Sequence, residues 1–238
     1  MSRQERTDIR VAIVDNSINP TLYKPVEHWA GYLGASFTSF RAPEGRFPNL
    51  DNEFTHLILT GSEASILERE AWVYSEVEWV REALDRGFPI LGSCYGHQLL
   101  ALALGGPNRV RKSFRPEIGW HAIAIHRRGG ILGDRSVAYA FSSHFDEVTN
   151  LDERFDVLAS SPDCPVQAFE LKGRPVWGIQ FHPEISIPAA REFLQNMVGL
   201  GLRTSALFEE ALRMRPKDSG LIRNIIRHFL AFRGNRKV

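Results

Sequence analysis

The sequence is poor in cysteine, has almost no net charge and contains no long apolar run. Two cysteines, Cys94 and Cys164, form at most one disulfide, which excludes a small domain held together by disulfides. Basic and acidic side chains number 29 and 28, so the charge balance gives no reason to expect binding to nucleic acid or to an anionic membrane. A membrane span needs ~20 consecutive apolar residues, and no such segment occurs.

The N-terminal segment also lacks the apolar centre of a secretory signal, because Met1–Arg10 is polar. We therefore expect a cytoplasmic protein whose partner is a small molecule or another protein. The composition, 43% hydrophobic and 24% charged, is typical of a globular protein, and 238 residues suffice for a substantial core. We expect a single domain over residues 1–238, with a helical C-terminal tail over residues 185–238.

Apolar periodicity in the first half of the chain predicts alternating strands and helices. Continuous apolar runs predict strands, and apolar residues at helical spacing predict the helices between them. The predicted strands are residues 10–15, 35–40, 56–60 and 88–92, and the predicted helices are residues 20–33, 72–84 and 98–104. This alternation is typical of an α/β protein with a doubly wound, mostly parallel sheet, whose functional loops follow the carboxyl ends of the strands.

The second half of the chain has a different pattern. Between residues 109 and 179 the apolar runs are short and separated by Gly, Pro and Asp, which predicts a small antiparallel extension of the sheet. From Pro188 the pattern is helical, and we expect Ser219 to cap the last helix. Basic residues are frequent from Arg203 to Lys237. They form either a docking face for a partner or, as we prefer, the solvated side of an amphipathic helix that closes the sheet.

Cys94 lies in the segment Gly92-Ser93-Cys94-Tyr95-Gly96, where a predicted buried strand turns into a helix. Small residues two positions before and after the cysteine are what a sharp strand-to-helix turn requires. Such a turn, or elbow, places the thiol at the start of a helix, where backbone N–H groups and the helix dipole favour the thiolate. A lone intracellular cysteine is more often a small buried hydrophobic residue, but this motif favours a nucleophile.

A second polar group, His182-Pro183-Glu184, follows the predicted strand 176–179. Residues at i and i+2 project to the same side of an extended chain, so Glu184 can hold the ring of His182. Thiol chemistry needs an imidazole that takes and returns a proton and a carboxylate that orients it. The alternative is a solvated surface pair. We predict no metal site, because the further His and Cys ligands of a zinc site are missing at ligand spacing.

The segments 92–98 (GSCYGHQ) and 178–184 (GIQFHPE) together resemble the two signature motifs of class I glutamine amidotransferases. The resemblance spans most of the chain and is strongest to the glutaminase domain of GMP synthase and its free-standing relatives, which include plant γ-glutamyl peptidases. It implies the flavodoxin-like fold of that family and a reaction without a cofactor. It also implies that Cys94 forms a γ-glutamyl thioester, that His182 is general base and acid, and that Glu184 orients the imidazole.

The resemblance further implies an oxyanion hole made of two backbone N–H groups. One belongs to Tyr95, directly after the nucleophile, and the other to the loop after the third strand, from Gly61 or Ser62. Relatives often have Gly-Gly-Pro in that loop, whereas this chain has Gly61-Ser62-Glu63. The sequence therefore leaves the second donor open.

The same resemblance implies a set of substrate-binding residues. Gln98 matches a glutamine, one turn into the elbow helix, that helps to bind the substrate. Ser143, His144 and Asp146 match a Ser-His-Gly-Asp segment near the amino-acid end of the substrate, and Phe145 replaces its glycine, which reshapes the pocket. A carboxylate suits the ammonium of glutamine, and a hydroxyl suits its carboxylate. The simpler interpretation of these residues is that they cap a helix or lie in a solvated loop.

Three functions remain open from the sequence. The first is a glutaminase that supplies ammonia to a separate synthase, and the second is a hydrolase of γ-glutamyl peptides or amides. The third, a noncatalytic binding module, is disfavoured because Cys94, His182 and Glu184 are all present. Two further segments are predicted to have no chemical role: Glu117–Trp120, interpreted as a turn into a strand, and Cys164, interpreted as a loop residue.

Overall fold

The computed structural model describes residues 9–51 and 54–232, which form nine strands, six α-helices and two short 3-10 helices. The strands are β1 (Arg10–Asp15), β2 (Ser36–Arg41), β3 (His56–Leu59), β4 (Ile90–Ser93), β5 (Val110–Ile125), β6 (Val137–Val148), β7 (Phe155–Ser160), β8 (Ala168–Leu171) and β9 (Val176–Ile179). The α-helices are α1 (Pro25–Leu33), α2 (Ala71–Asp85), α3 (Tyr95–Gly105), α4 (Ile187–Gly199), α5 (Ser205–Arg213) and α6 (Leu221–Ala231).

All nine strands form one sheet in the order β2-β1-β3-β4-β9-β8-β7-β5-β6. The first five strands in this order pair in parallel, and the remaining pairs are antiparallel. The predicted α/β class and doubly wound sheet are confirmed. The sheet is more mixed than predicted, because the antiparallel part has four strands and contains the two longest, β5 and β6.

Helices cover both faces of the inner parallel strands, which explains why β1, β3, β4 and β9 are buried and largely apolar. In β1, Ala12 packs in the core on the side of α2 and α3, whereas Ile13 packs in the core on the side of α1 and α6. A third cluster lies where α4 and α5 pack against β5 and β6. The carboxyl ends of β1, β3, β4 and β9 therefore meet at one edge, beside this third cluster, as a doubly wound sheet requires.

The first predicted helix is shorter than expected. It begins at Pro25 rather than at residue 20, because Asn19 organises the preceding residues into a turn. The side-chain oxygen of Asn19 accepts hydrogen bonds from the backbone N–H groups of Thr21 and Leu22, at 3.1 and 3.3 Å. Asn side chains stabilise such turns at the expense of helix. This places Tyr23 in a loop after β1, at the carboxyl edge of the sheet.

The expected cap of the last helix is wrong. Gly220, at φ +67°, precedes α6 and offers no side chain, while Ser219 Oγ instead accepts a hydrogen bond from the backbone of Tyr139 at 2.8 Å. The amphipathic character of α6 is confirmed, since Ile225 is buried and Arg227 is exposed. Arg233, Arg236 and Lys237 of the predicted basic tail lie outside the described residues. Nowhere in residues 9–51 and 54–232 is a helix both long and apolar enough for a membrane crossing.

Candidate active site

Cys94 occupies the turn between β4 and α3, as the motif predicts. It is the N-cap residue of α3 and has φ +50° and ψ −103°. A non-glycine residue in this region costs on the order of 1–3 kcal/mol, and such strain persists only where the surrounding packing enforces it. The thiol is 4% exposed and lies 3.8 Å from the carbonyl oxygen of Ser143.

The glycines on either side of Cys94 allow the close packing that enforces this strain. A Cβ on Gly92 would lie 2.4 Å from the carbonyl oxygen of Gly96, and a Cβ on Gly96 would lie 2.3 Å from that of Leu59. Neither position has room for a side chain. The Gly-x-Cys-x-Gly motif therefore fixes the elbow by backbone contact between β3, β4 and α3.

His182 and Glu184 lie just beyond β9, next to the elbow strand β4. The backbone N–H of His182 donates to the carbonyl oxygen of Phe141 at 2.8 Å, which anchors the segment to β6. The ring Nδ1 of His182 lies 2.8 Å from Oε1 of Glu184, and both side chains are buried. Cys94 lines the same cavity as His182 and interacts electrostatically with its ring. The sequence-predicted cysteine, imidazole and carboxylate thus lie together.

The charge state of His182 depends on these two neighbours. Burial alone would lower its pKa, but the negative charges of Glu184 and Cys94, together with the hydrogen bond from the ring to Glu184, raise the pKa to about 10. The imidazolium is therefore the stable form at neutral pH. Nδ1–H donates to Glu184, which leaves the other ring nitrogen for the cysteine.

Tyr23 is a member of this group that the sequence analysis missed. Its hydroxyl lies 3.3 Å from Oε1 of Glu184 and 3.4 Å from Nδ1 of His182. Burial and the charges of Glu184 and Cys94 raise the pKa of Tyr23 well above its usual range, so the hydroxyl stays neutral and donates to Glu184. The available signal was its position after β1, since loops at the carboxyl ends of parallel strands carry functional groups.

The residues predicted for an oxyanion hole surround the same thiol. Tyr95 and Ser62 line the cavity that contains Cys94. Gly61 packs directly against the imidazole, because a Cβ at this position would lie 2.8 Å from Cε1 of His182 and 2.9 Å from the hydroxyl of Tyr23. Tyr95 is the first residue of α3, where backbone N–H groups have no partner within the helix. Their role as oxyanion donors remains a prediction.

The predicted substrate-binding residues line the same cavity and are joined by hydrogen bonds. The Gln98 amide donates to the backbone carbonyl of Asp146 at 2.8 Å. The Asp146 carboxylate accepts a hydrogen bond from Ser65 at 2.5 Å and lies 2.9 Å from the ammonium of Lys112. Ser143 contributes cavity surface beside Cys94. Ser65 and Lys112 thus belong to the polar lining around Asp146. The sequence analysis did not identify these two residues.

His144 has a buried carboxylate partner that the sequence analysis also missed. Its Nε2 lies 3.0 Å from Oε2 of Glu117, and its Nδ1 lies 3.1 Å from the carbonyl oxygen of Asp146. Burial alone would raise the pKa of Glu117, but hydrogen bonds from His144 and Ser161 outweigh it and hold the pKa below its usual range. Both ring nitrogens of His144 thus lie within hydrogen-bond distance of an oxygen atom.

The prediction that Glu117 begins a turn is therefore wrong, because it lies inside β5 and pairs with His144 across the strands. Cys164 does lie in a loop, between β7 and β8, but it is buried beside this pair. One donor atom each from Glu117, His144 and Cys164 lie within 4.8 Å of one another. Since Glu117 already accepts hydrogen bonds from His144, Ser161 and Gln167, we interpret the cluster as a hydrogen-bonded group and not as a metal site.

The cavity lined by Cys94, His182 and the predicted substrate-binding residues has a volume of about 330 Å³, within the range of small-molecule pockets. Cys94 and His182 line it together with polar and aromatic side chains. Residues 26–198 match the family described as glutamine amidotransferase class-I, which is more than two thirds of the chain. The chain belongs to the class I glutamine amidotransferases.

Related proteins carry names from this family. A GMP synthase [glutamine-hydrolyzing] of Acetivibrio thermocellus is 36% identical over 144 residues, 60% of this chain and 27% of that protein. One subunit of the GMP synthase [glutamine-hydrolyzing] of Methanocaldococcus jannaschii is 38% identical over 116 residues, 48% of this chain and 61% of that subunit. The matches thus span about a quarter of the first relative and less than two thirds of the second.

A solved structure supports the fold at larger coverage. A putative GMP synthase subunit from Thermoplasma acidophilum superposes with a TM-score of 0.63 and 28% sequence identity, over 87% of this chain and 98% of that one. The family match and the superposition are independent of the site geometry. The fold and the family are therefore established on separate grounds.

Proposed function

We propose that this amidotransferase hydrolyses the side-chain amide of glutamine through a γ-glutamyl thioester on Cys94. The observation that carries the proposal is the strained elbow, which presents the Cys94 thiol to the buried pair of His182 and Glu184 on the wall of a cavity. Burial of a carboxylate behind an imidazole costs folding free energy unless the pair is fully hydrogen-bonded, so such a pair is otherwise retained for a function. The strained cysteine beside this pair favours a function in catalysis.

The proposed reaction uses Cys94 as nucleophile and the His182 imidazolium as proton donor. Cys94, as thiolate, adds to the γ-carbonyl carbon, and the departing nitrogen takes a proton from the His182 imidazolium. Water then attacks the thioester, with His182 now acting as base, and glutamate is released. Glu184 holds the ring through Nδ1 in both steps, and the Tyr23 hydroxyl fixes the carboxylate.

Two sets of residues are assigned to the substrate. The N–H of Tyr95 and that of Gly61 or Ser62 are proposed to stabilise the oxyanion, since Tyr95 follows the elbow cysteine, Gly61 packs against the imidazole and Ser62 lines the cavity. The polar lining residues Gln98, Ser143, His144 and Asp146 are proposed to hold the α-ammonium and α-carboxylate of the substrate. The charges of Asp146 and Lys112 suit these two groups.

The test is release of ammonia and glutamate from glutamine by the purified protein and by Cys94→Ser. We expect equal amounts of the two products, and a loss of at least about 10⁴-fold in kcat in the variant, because the serine hydroxyl is far less ionised. Far-UV circular dichroism and the melting temperature check that the variant remains folded. Turnover in folded Cys94→Ser within tenfold of the parent would contradict the proposal.

A separate synthase subunit is proposed to accept the ammonia, because one relative is named as a subunit of a GMP synthase. The measurement is the rate of glutamine hydrolysis with and without a candidate synthase and the substrates of that synthase. Activation together with transfer of the amide nitrogen to the synthase product would support the pairing. Unchanged hydrolysis and no transfer would instead indicate a self-sufficient hydrolase.

A further inference from the structure

Two kinds of side chain line the active-site cavity. Around Asp146 the lining is polar, because Asp146 binds Ser65 and Lys112 through its side chain and Gln98 through its backbone. Five aromatic side chains also line the cavity; we call them the aromatic wall, and they are Tyr23, Phe141, Phe145, Phe193 and Phe208. Glutamine hydrolysis uses the polar residues, but neither ammonia nor water needs an aromatic surface.

The aromatic wall begins at the proposed proton donor. The ring centroids of Tyr23 and Phe141 lie 5.9 and 6.3 Å from that of His182. Both rings lie 6.3 Å from Phe193. The wall then continues through Phe208, 6.4 Å from Phe193, to Phe145, 6.3 Å further on. These spacings are those of interacting aromatic rings, so the wall is a continuous apolar surface.

The leaving nitrogen must face this surface. His182 gives its proton to the departing amine, so that amine lies on the His182 side of the scissile bond. In the proposed function the glutamyl ammonium and carboxylate bind to the polar residues around Asp146. A substituent on the leaving nitrogen would therefore extend from His182 along the aromatic wall, where Met197 and Ile185 complete the apolar lining.

We propose that the aromatic wall binds the leaving amine, and that the preferred substrates are γ-glutamyl amides whose amine carries an aromatic or branched apolar group. This inference rests on the proposed function of Cys94 and His182. Full burial of such a group is expected to raise kcat/KM by about ten- to a hundredfold over glutamine. Phe145 contributes to the wall at the position where the resembling glutaminases have glycine.

The reaction is balanced without any further reactant. Cys94 Sγ forms a bond to the γ-carbonyl carbon, the C–N bond breaks, and the nitrogen leaves as the neutral amine with the proton from His182. Water then adds to the thioester, its C–S bond breaks, and glutamate and free Cys94 result. The net change is a γ-glutamyl amide plus water giving glutamate plus the amine.

The test uses amides that differ only in the leaving amine: glutamine, γ-glutamyl ethylamide, γ-glutamyl isobutylamide and γ-glutamyl benzylamide. Ammonia and benzylamine are of similar basicity, so this comparison separates binding of the amine from its reactivity. We expect kcat/KM to rise along the series and to be lower for γ-glutamylglycine than for the benzylamide, because that leaving amine carries a carboxylate. A benzylamide value equal to or below that of glutamine would overturn the inference.

Variants of the aromatic wall then locate the effect. Phe193→Ala and Phe145→Ala remove half-buried rings, and each is expected to lower the benzylamide-to-glutamine ratio of kcat/KM by about tenfold. The matched control is Phe114→Ala, because Phe114 is 85% exposed and does not line the cavity. Its ratio should stay within about twofold of the parent. A high ratio that neither wall variant changes would place amine binding elsewhere and overturn the inference.

The same assays separate this inference from the proposed function. Hydrolysis of glutamine that depends on Cys94, without any preference for apolar amines, contradicts only the role of the aromatic wall. Hydrolysis that persists in Cys94→Ser contradicts the proposed function as well. Melting temperatures of the wall variants confirm that a changed ratio does not come from unfolding.

Discussion

Two buried groups of the same composition occur in the described part of the chain, and only one has the geometry of a nucleophilic site. The elbow group is Cys94 with His182 and Glu184, and the strand group is Cys164 with His144 and Glu117. Each contains a thiol beside an imidazole that is hydrogen-bonded to a carboxylate. The difference between them shows what converts a cysteine into a candidate nucleophile.

Chain geometry and access distinguish the two thiols. Cys94 sits on a backbone with positive φ at the start of a helix and faces the cavity. Cys164 is fully buried in a loop, where its backbone N–H donates to Ser161, and burial together with the charge of Glu117 raises the pKa of its thiol far above the usual range. The strand group therefore keeps its thiol protonated and out of reach of substrate.

The largest expected effect comes from exchanging each cysteine. Cys94→Ala should lower kcat for glutamine by at least about 10⁴-fold, whereas Cys164→Ala should change it by less than about threefold. A glutamine-like diazo-ketone should alkylate Cys94 and leave Cys164 unmodified, as read by mass spectrometry of the digested protein. Alkylation of Cys164 in the folded protein would break the comparison.

Substitution of Glu184 should mainly affect kcat, whereas substitution of Glu117 should mainly affect the free energy of unfolding. Glu184→Gln is expected to lower kcat by about 10²- to 10⁴-fold, because the imidazolium loses the charge that holds it in position. Glu117→Gln is expected to lower the free energy of unfolding by about 2–4 kcal/mol, because it removes a buried carboxylate that accepts hydrogen bonds from His144 and Ser161. Steady-state kinetics and chemical denaturation measure the two effects. A kcat loss in Glu117→Gln as large as that in Glu184→Gln would contradict the distinction.

The pH dependence of activity should report the elbow group. The pKa of His182 is raised to about 10, so kcat/KM should fall as the pH rises through about 10, where the imidazolium is lost. Because the folded pKa lies above the unfolded value, the stability that this group contributes is fully present below about pH 6.5 and is lost as the pH rises through about 10.

For the residual activity of Glu184→Gln, the fall of kcat/KM at alkaline pH (the alkaline limb) should move to lower pH. Glu117→Gln should leave this limb in place. The direction follows because Glu184 is the largest favourable influence on the His182 imidazolium. The profile of kcat/KM from neutral to alkaline pH measures the limb in each variant. An unmoved limb in Glu184→Gln would mean that another group sets it.

The smallest expected effect concerns the hydroxyl groups that support each carboxylate. Tyr23→Phe removes the 3.3 Å hydrogen bond to Glu184 and should lower kcat by about two- to tenfold, with little change in melting temperature. Ser161→Ala removes a hydrogen bond to Glu117 and should instead lower the melting temperature while kcat stays within about twofold. The reverse result for the two variants would show that Tyr23 is structural only.

Much of the elbow side of the site could be predicted from sequence. The inner strands of the parallel part, β1, β3, β4 and β9, are largely apolar runs, and the glycines around Cys94 signal the backbone contacts that the turn needs. Both features are local in the chain. His182 and Glu184 could also be predicted to act together, because side chains two positions apart in an extended segment project to the same side.

The strand group could not be predicted in the same way. Glu117 meets His144 only through the register of β5 and β6, which shifts between residues 112 and 117. A one-residue shift reverses which face a side chain occupies, and apolar patterning does not reveal such a bulge. Tyr23 was missed because its contact with Glu184 spans 161 positions, and the helix predicted there obscured the loop.

The most direct test of the central claim is capture of the covalent intermediate. The protein is mixed with a γ-glutamyl amide, quenched with acid before the first turnover is complete, and digested for mass spectrometry. The account predicts a γ-glutamyl group on the peptide that contains Cys94, at a level that rises and decays with product formation. An adduct on Cys164, or product released with no adduct on Cys94 at any time, would contradict it.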